Sequence, residues 1–262
     1  MTSTTTSSTP LDGLIFGICT ALGAVVTAAC LYRARRSPTV ANRSICFAFG
    51  ICTVGVFFAI PAIATWTEEL TGVDNIAKLI AHVCAVLWCA SLQLTMVDIA
   101  YDPSYLRTAL AQRATLAATV LFVMVPLWLS ANAPGVDFTT AYAENAKVRI
   151  YLLVYLSYTF VTCCELAFMC GKSARHNWPG RPWSSVGYGA STVAAIFGLA
   201  YAASRGGYLL AYTAEHPWSL KLEEKLSPAL AGLAICCLFI GLTLPVFGAL
   251  WRKARVRLPR GR

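Results

Sequence analysis

Charged residues are scarce in this chain of 262 residues, at 13%, and acids are scarcer than bases, with 12 Asp and Glu against 21 Lys and Arg. No polar stretch is long enough to fold by itself as a water-soluble domain. Hydrophobic residues make up 57% of the chain, and the mean hydropathy is +0.62. These values exclude a soluble enzyme with a separate catalytic domain and predict a membrane protein.

Histidine is also rare, with three residues in the whole chain. The sequence has no Asp-rich metal motif, no H-E-x-x-H or G-x-S-x-G motif and no glycine-rich loop for phosphate. The eleven cysteines all fall inside apolar runs rather than in loops that disulfides would join. We therefore expect no metal, no cofactor and no disulfide framework.

Seven apolar segments are long enough to cross a bilayer, which takes about 20 helical residues at about 1.5 Å per residue. They cover residues 11–32, 44–66, 75–97, 114–133, 148–170, 185–207 and 229–251. The sequence thus predicts an all-α membrane protein whose single seven-helix bundle spans residues 11–251. We expect a disordered polar segment over residues 1–10 and a basic tail over residues 252–262.

The basic residues gather on one side of this predicted bundle. The first connecting loop and the tail together hold ten of them: Arg33, Arg35, Arg36, Arg43, Arg252, Lys253, Arg255, Arg257, Arg260 and Arg262. Because basic loops face the cytoplasm, the pattern predicts an outside N-terminus and a cytoplasmic C-terminus in the cell membrane. The positive net charge of +9 then reflects topology and does not indicate nucleic-acid binding.

Polar side chains recur at helical spacing on the predicted third, fifth and sixth spans. The three stripes are Lys78, His82, Cys89 and Gln93; Tyr151, Tyr155, Tyr158, Thr162, Glu165 and Met169; and Tyr201, Arg205, Tyr208 and Tyr212. Such stripes also arise from hydrogen bonds between helices with no chemistry attached. Glu165 falls well inside the fifth span, so we expect it to be protonated or paired.

An acid in a lipophilic pocket lined by aromatic rings can protonate an alkene or an epoxide. The rings then stabilise the resulting cation, and the pocket excludes water. Such a pocket suits a lipophilic isoprenoid. The same residues could instead bind a hydrophobic molecule and move it across the bilayer, with Glu165 or Arg205 as the coupling group.

The run from Glu68 to His82, EELTGVDNIAKLIAH, joins the second and third predicted spans. It is similar to a signature of an actinobacterial multi-pass membrane family labelled as transporters. The whole chain, with seven spans and a basic first loop, also resembles the small integral-membrane terpene cyclases of bacterial indole-sesquiterpenoid pathways. Fungal meroterpenoid cyclases share this size and span count.

The cyclase resemblance implies metal-independent, acid-initiated ring closure of a prenylated substrate such as a farnesyl indole. It also implies that an acid near the end of a span donates the proton, which makes Glu68 or Glu69 the first candidates and Asp98 a weaker one. A second family acid finds no match inside the predicted seventh span, because Glu223 and Glu224 precede it.

Two candidate sites follow, since Glu68 and Asp98 bracket the third span and lie roughly 30–40 Å apart at about 1.5 Å per residue. The outward site comprises Trp66, Glu68, Glu69, His82, Arg205 and Tyr208, and the inward site comprises Asp98, Glu165, Tyr158 and Trp88. Tyr155 and Tyr201 are further candidates for substrate binding. We favour the outward site because it contains the recognisable motif. A multi-pass exporter and a non-catalytic membrane regulator remain the alternative functions.

Overall fold

A computed structural model describes residues 10–36, 40–100, 103–131, 144–216 and 218–257. Within these ranges the chain is helical and contains no strand. The eight helices of the described residues are α1 (Pro10–Arg36), α2 (Val40–Phe58), α3 (Pro61–Thr71), α4 (Ile76–Ala100), α5 (Pro103–Leu129), α6 (Ala146–Asn177), α7 (Pro182–Thr213) and α8 (Leu220–Arg257). Residues 1–9 and 258–262, the outer parts of the two predicted flanking segments, lie outside the described ranges.

Six of these helices are each long and apolar enough to cross a membrane, namely α1, α4, α5, α6, α7 and α8. The helix α2 passes the same test only together with α3, and the two are bent by 81° at the break between them. The all-α prediction is therefore confirmed for the described residues, and six of their helices are candidate membrane spans.

Six of the described helices form a closed ring. Neighbours in the ring are α1, α2, α4, α6, α7 and α8, and α8 packs back against α1. The helix α5 lies outside the ring and covers the seam between α4 and α6. The short helix α3 packs against α1, α2 and α4 at the end of the bundle where α4 begins. We call this the α3 end.

The predicted second span, residues 44–66, is not one continuous helix. Pro61 is the reason, because it has no backbone N–H to extend the ladder of α2 and instead occupies the first turn of α3. Gly72 ends α3 in the left-handed conformation, with φ 67° and its N–H bonded to the Glu68 carbonyl. This correction places Glu68 and Glu69 on a separate short helix.

Two other predicted spans begin too late. The fourth predicted span covers residues 114–133, but α5 begins at Pro103, so Arg107 and Arg113 belong to the helix rather than to a loop. The seventh covers residues 229–251, but α8 begins at Leu220 and includes Glu223. Both errors arose because charged residues near the start of a helix lower its apolar signal there.

The contact between the ring neighbours α7 and α8 depends on glycine. A Cβ atom added at Gly187 would come within 2.6 Å of both the Gly241 carbonyl and the Pro245 ring. Ser191, one turn along α7, is fully buried and would likewise meet a Cβ atom added at Gly241. Small residues let these two backbones approach, as is common where helices pack within a bilayer.

Candidate functional site

The predicted stripe on the fifth span is the buried face of α6. Tyr151, Tyr155, Tyr158, Thr162 and Met169 are all buried, while Glu165 is half-buried. The helix begins with the Asn145 side chain, which accepts hydrogen bonds from the N–H groups of residues 147 and 148. Residues 151 to 165 extend over roughly 21 Å at about 1.5 Å per residue. The stripe therefore extends from the predicted outward site to the predicted inward site.

At the α3 end, His82 of α4 meets the tyrosines of α6. Its Nδ1 atom lies 2.8 Å from the Tyr151 hydroxyl, and its ring stacks on Tyr155 with centroids 4.4 Å apart and planes at 24°. Tyr201 of α7 packs against the same core cluster. We call His82, Tyr151, Tyr155 and Tyr201 the histidine–tyrosine group. It brings together three predicted site residues and adds Tyr151, which belonged to the predicted stripe only.

A fully buried carboxylate lies beside this group. Glu223 of α8 is 0% exposed and accepts hydrogen bonds from the Ser204 hydroxyl, at 2.7 Å, and from the Ser227 hydroxyl. Its Oε1 atom is 3.7 Å from Nη1 of Arg205 on α7. The charges of Arg205 and Glu223 both act on the side chains of Tyr201 and Tyr208. We call Ser204, Arg205, Glu223 and Ser227 the Glu223 site.

The histidine–tyrosine group and the Glu223 site belong to one region, because the charge of Arg205 also acts on the His82 ring. Sequence reasoning missed Glu223 as a site residue because it placed the residue in a loop before the last span. Glu223 and Ser227 are four residues apart, which is the spacing of neighbours on one helical face. That spacing was the available signal for an earlier helix start.

Glu68 lies near the end of α3, outside the six helices that meet the spanning test alone. Its Oε1 atom accepts a hydrogen bond of 3.1 Å from the N–H of Asn75, a buried residue with φ 60° just before α4. Burial raises the pKa of the Glu68 carboxyl and Asp74 acts in the same direction, whereas the Asn75 N–H and Lys78 oppose them. Glu68 thus bonds to the α3–α4 turn, and the charge of Lys78 acts on both Glu68 and His82.

The other predicted members of the outward site differ in their surroundings. Glu69 is exposed, and Trp66 is 55% exposed on the surface of α3. Tyr208 is buried in the core cluster that also contains Tyr151 and Tyr155. The structure therefore gathers His82, Arg205 and Tyr208 around the interior, and it leaves Trp66 and Glu69 on the surface.

A second polar cluster lies further along α6, where α4, α5 and α6 meet. The guanidinium of Arg113 donates to Glu165 Oε1 from Nε, at 3.0 Å, and from Nη2, while Gln93 Nε2 donates to Glu165 Oε2 at 2.7 Å. The Tyr158 hydroxyl donates to Gln93 Oε1 at 3.1 Å. We call these four residues the seam cluster. The sequence predicts that Glu165 is either protonated or paired. The structure confirms that it is paired, with Arg113 as the partner.

The remaining members of the predicted inward site are Trp88 and Asp98. Trp88 is partly buried and packs against two core clusters, one around Ala48 and Leu92 and the other around Phe49 and Phe239. The side chain of Asp98 lies outside the part of the chain that the structure describes. Trp88 is therefore a core residue of the ring. None of its described contacts joins it to Glu165 or Glu223.

An open cleft of about 490 Å³ lies between the start of α6 and the end of α7. Its lining consists of Arg149, Tyr212, Thr213, Glu215 and His216. None of the predicted site residues belongs to this lining, and the cleft is polar where the predicted pocket is lipophilic. Among the described residues, no group of three or more His, Cys, Asp and Glu side chains could hold a metal ion.

Comparison of the chain with protein-family models, with curated proteins and with solved structures finds no match. The geometry of the described residues is therefore the basis for assigning a function.

Proposed function

We propose that this protein is a membrane-bound terpene cyclase that closes rings in a prenylated substrate, such as an epoxidised farnesyl indole, by acid initiation. One observation carries the proposal: a fully buried carboxylate, Glu223, lies beside an interior group of three tyrosines and a histidine. A carboxylate and aromatic faces that exclude water are the groups that stabilise a carbocation.

The proposed reaction starts with a proton from Glu68. Glu68 is half-buried and has a raised pKa, as a general acid requires near neutral pH. Transfer of that proton to the epoxide oxygen breaks a C–O bond and leaves a hydroxyl group. An alkene of the prenyl chain then attacks the electron-poor carbon and forms the ring bond. Return of a proton from the final cation to the Glu68 carboxylate neutralises the product, which is an isomer of the substrate, and restores the acid.

Glu223 takes the second role, that of a fixed negative charge facing the cation. The hydroxyls of Ser204 and Ser227 orient its carboxylate. Arg205 balances its negative charge when no carbocation is bound. Two carboxyl groups in different surroundings commonly divide the acid and stabiliser roles in this way. Glu165 is not assigned to proton transfer, because three hydrogen bonds from Arg113 and Gln93 commit it to joining helices.

We further propose that α2 is a seventh span and that the α3 end faces outward in the cell membrane. The helix α2 is about 28 Å long at about 1.5 Å per residue and packs between α1 and α4. Exposed basic residues occupy the opposite end: Arg33, Arg35, Arg36, Arg43, Arg107, Lys172, Arg175 and Arg181. This distribution supports a cytoplasmic position for that end.

The activity is tested by expressing the chain in a bacterial host that is fed epoxidised farnesyl indole. Cells with the wild-type protein should form a new isomer of unchanged mass, and Glu68→Gln and Glu223→Gln should abolish it. The matched control is Glu69→Gln, which changes the neighbouring exposed acid and should leave the yield unchanged. Equal yields from all three variants would contradict the assignment of both carboxyls.

The seam cluster favours a second candidate function, which is export of a hydrophobic molecule. A charged pair within membrane-crossing helices is a frequent feature of coupling sites in transporters. Arg113 and Glu165 lie on candidate spans and retain 17% and 21% side-chain exposure. Export predicts that expressing cells lose the fed compound without forming an isomer, and that Glu165→Gln stops this loss.

A further inference from the structure

The helix α3 differs from the other helices of the bundle in its direction. Its surface consists of a buried face, an exposed apolar face and an exposed polar face. It is bent by 81° from α2, which runs alongside the candidate spans α1 and α4. A helix almost perpendicular to a membrane-crossing neighbour lies close to the plane of the membrane. Since α3 is at the end of the bundle, this plane is at the boundary between lipid and water.

The side chains of α3 fall into three groups, which are buried, exposed and apolar, or exposed and polar. Ala64 and Thr67 are buried against the bundle. Trp66 and Leu70, four residues apart and so on one face, are 55% and 68% exposed. Thr65 and Glu69 are also exposed, and they form a neighbouring polar face. Adjacent exposed tryptophan and leucine side chains commonly mark a surface that contacts another protein or a membrane.

We propose that α3 is an interfacial helix whose Trp66–Leu70 face inserts into the lipid at the level of the headgroups and upper acyl chains. Tryptophan prefers this level because its ring is apolar and its N–H can bond to headgroups or water. Leucine supplies apolar area next to it, and the polar face of Thr65 and Glu69 stays in water. The partner of this surface is the bilayer itself.

This inference goes beyond the proposed activity and depends only on α2 crossing the membrane. Glu68 lies on the same helix, but its two-residue separation from Trp66 and Leu70 puts it on the opposite side, where its carboxylate accepts a hydrogen bond from the Asn75 N–H. Insertion of the Trp66–Leu70 face therefore leaves Glu68 on the protein side of the helix.

The depth of Trp66 is measurable by fluorescence quenching. The full-length protein and the variant Trp66→Phe are reconstituted into phosphatidylcholine vesicles with acyl chains brominated near the headgroup, or near the end of the chain. The difference between the two emission spectra isolates Trp66 from the other six tryptophans. We expect this component to be quenched more strongly by the shallow bromines than by the deep ones, and only weakly by iodide in the water.

Two variants in the Trp66→Phe background form a matched pair. Leu70→Trp puts the reporter on the inserted face and should reproduce the quenching of Trp66. Thr65→Trp puts it on the polar face one residue away and should lose the bromine quenching and gain sensitivity to iodide.

Either of two results would overturn the proposal. Strong iodide quenching of Trp66 with no bromine effect would place the face in water. Stronger quenching by the deep bromines would place α3 inside the bilayer, as part of a re-entrant or broken span. Both results are independent of whether any cyclised product forms, so the failure of this inference is distinguishable from failure of the proposed activity.

Discussion

Arg113 on α5 and Glu165 on α6 form an ion pair, with Nε of the arginine 3.0 Å from Oε1 of the glutamate. The pair attaches α5, which lies outside the ring, to the ring itself. Gln93 of α4 bonds to the other oxygen of Glu165, so a single carboxylate joins three helices. Each side chain retains some exposure, which places the pair at the seam rather than at the centre of the bundle.

Removing the arginine of this pair should destabilise the protein. Arg113→Gln leaves the Glu165 charge without its cation, and loss of one partner of a buried pair costs about 3–5 kcal/mol. The partial exposure of both side chains places the expected loss at the low end of that range. The measurement is the unfolding midpoint in a denaturing-detergent titration followed by circular dichroism.

Arg107→Gln is the control for this variant, because Arg107 is exposed on the same helix. Its midpoint should match that of the wild type. The double variant Arg113→Glu with Glu165→Arg should recover part of the stability that either single reversal loses. A double variant as unstable as the sum of its singles would show that the two charges do not interact.

The contact of α7 with α8 should tolerate no added methyl group at Gly187. In Gly187→Ala the new Cβ atom would lie 2.6 Å from both the Gly241 carbonyl and the Pro245 ring, so one helix has to move. Overpacking of this kind costs about 1–3 kcal/mol. Gly189→Ala is the matched control, since nothing lies within 4 Å of its Cβ position. Equal stability of the two variants would mean that the helices are less closely packed than described.

Much of this fold was predictable from the sequence. Runs of apolar residues identify the spanning helices, and the four-residue spacing of Tyr151 and Tyr155 identifies the buried face of α6. The helix ends were harder, because Arg113 and Glu223 read as loop residues when hydropathy alone is considered. Both lie on helices, and each charge has a partner within the bundle.

The same limit explains what was missed in the candidate site. A sequence shows that Glu165 needs a partner, but not which of several arginines supplies it, because the choice depends on how α5 packs against the ring. The break after α2 was visible as Pro61, whereas the 81° direction of α3 depends on contacts with α1 and α4.

The Tyr151 hydroxyl should contribute to stability through His82. In Tyr151→Phe the imidazole Nδ1 loses its partner at 2.8 Å, and a buried polar atom left without a hydrogen bond costs about 1–3 kcal/mol. Tyr105→Phe is the control, because Tyr105 is 69% exposed. If the Tyr151→Phe midpoint equalled that of the control, the hydrogen bond to His82 would have no part in stability.

The pH dependence of cyclisation should report the surroundings of Glu68. In the proposed reaction its acid form donates the proton, so the rate should fall as the pH rises through its pKa, and burial, which raises this pKa, should extend activity to higher pH. Asp74→Asn removes a charge that raises this pKa and should shift the falling limb to lower pH. Lys78→Gln removes a charge that lowers it and should shift the limb to higher pH. Limbs that stay in place in both variants would exclude Glu68 as the donor.

The most direct test of the central claim uses purified protein reconstituted into sealed vesicles and supplied with epoxidised farnesyl indole. We predict that the wild-type protein converts the substrate into an isomer of identical mass, that Glu68→Gln and Glu223→Gln do not, and that Glu69→Gln does. Passage of the unconverted compound into the vesicle interior, with no isomer formed, would contradict the cyclase and identify a transporter instead.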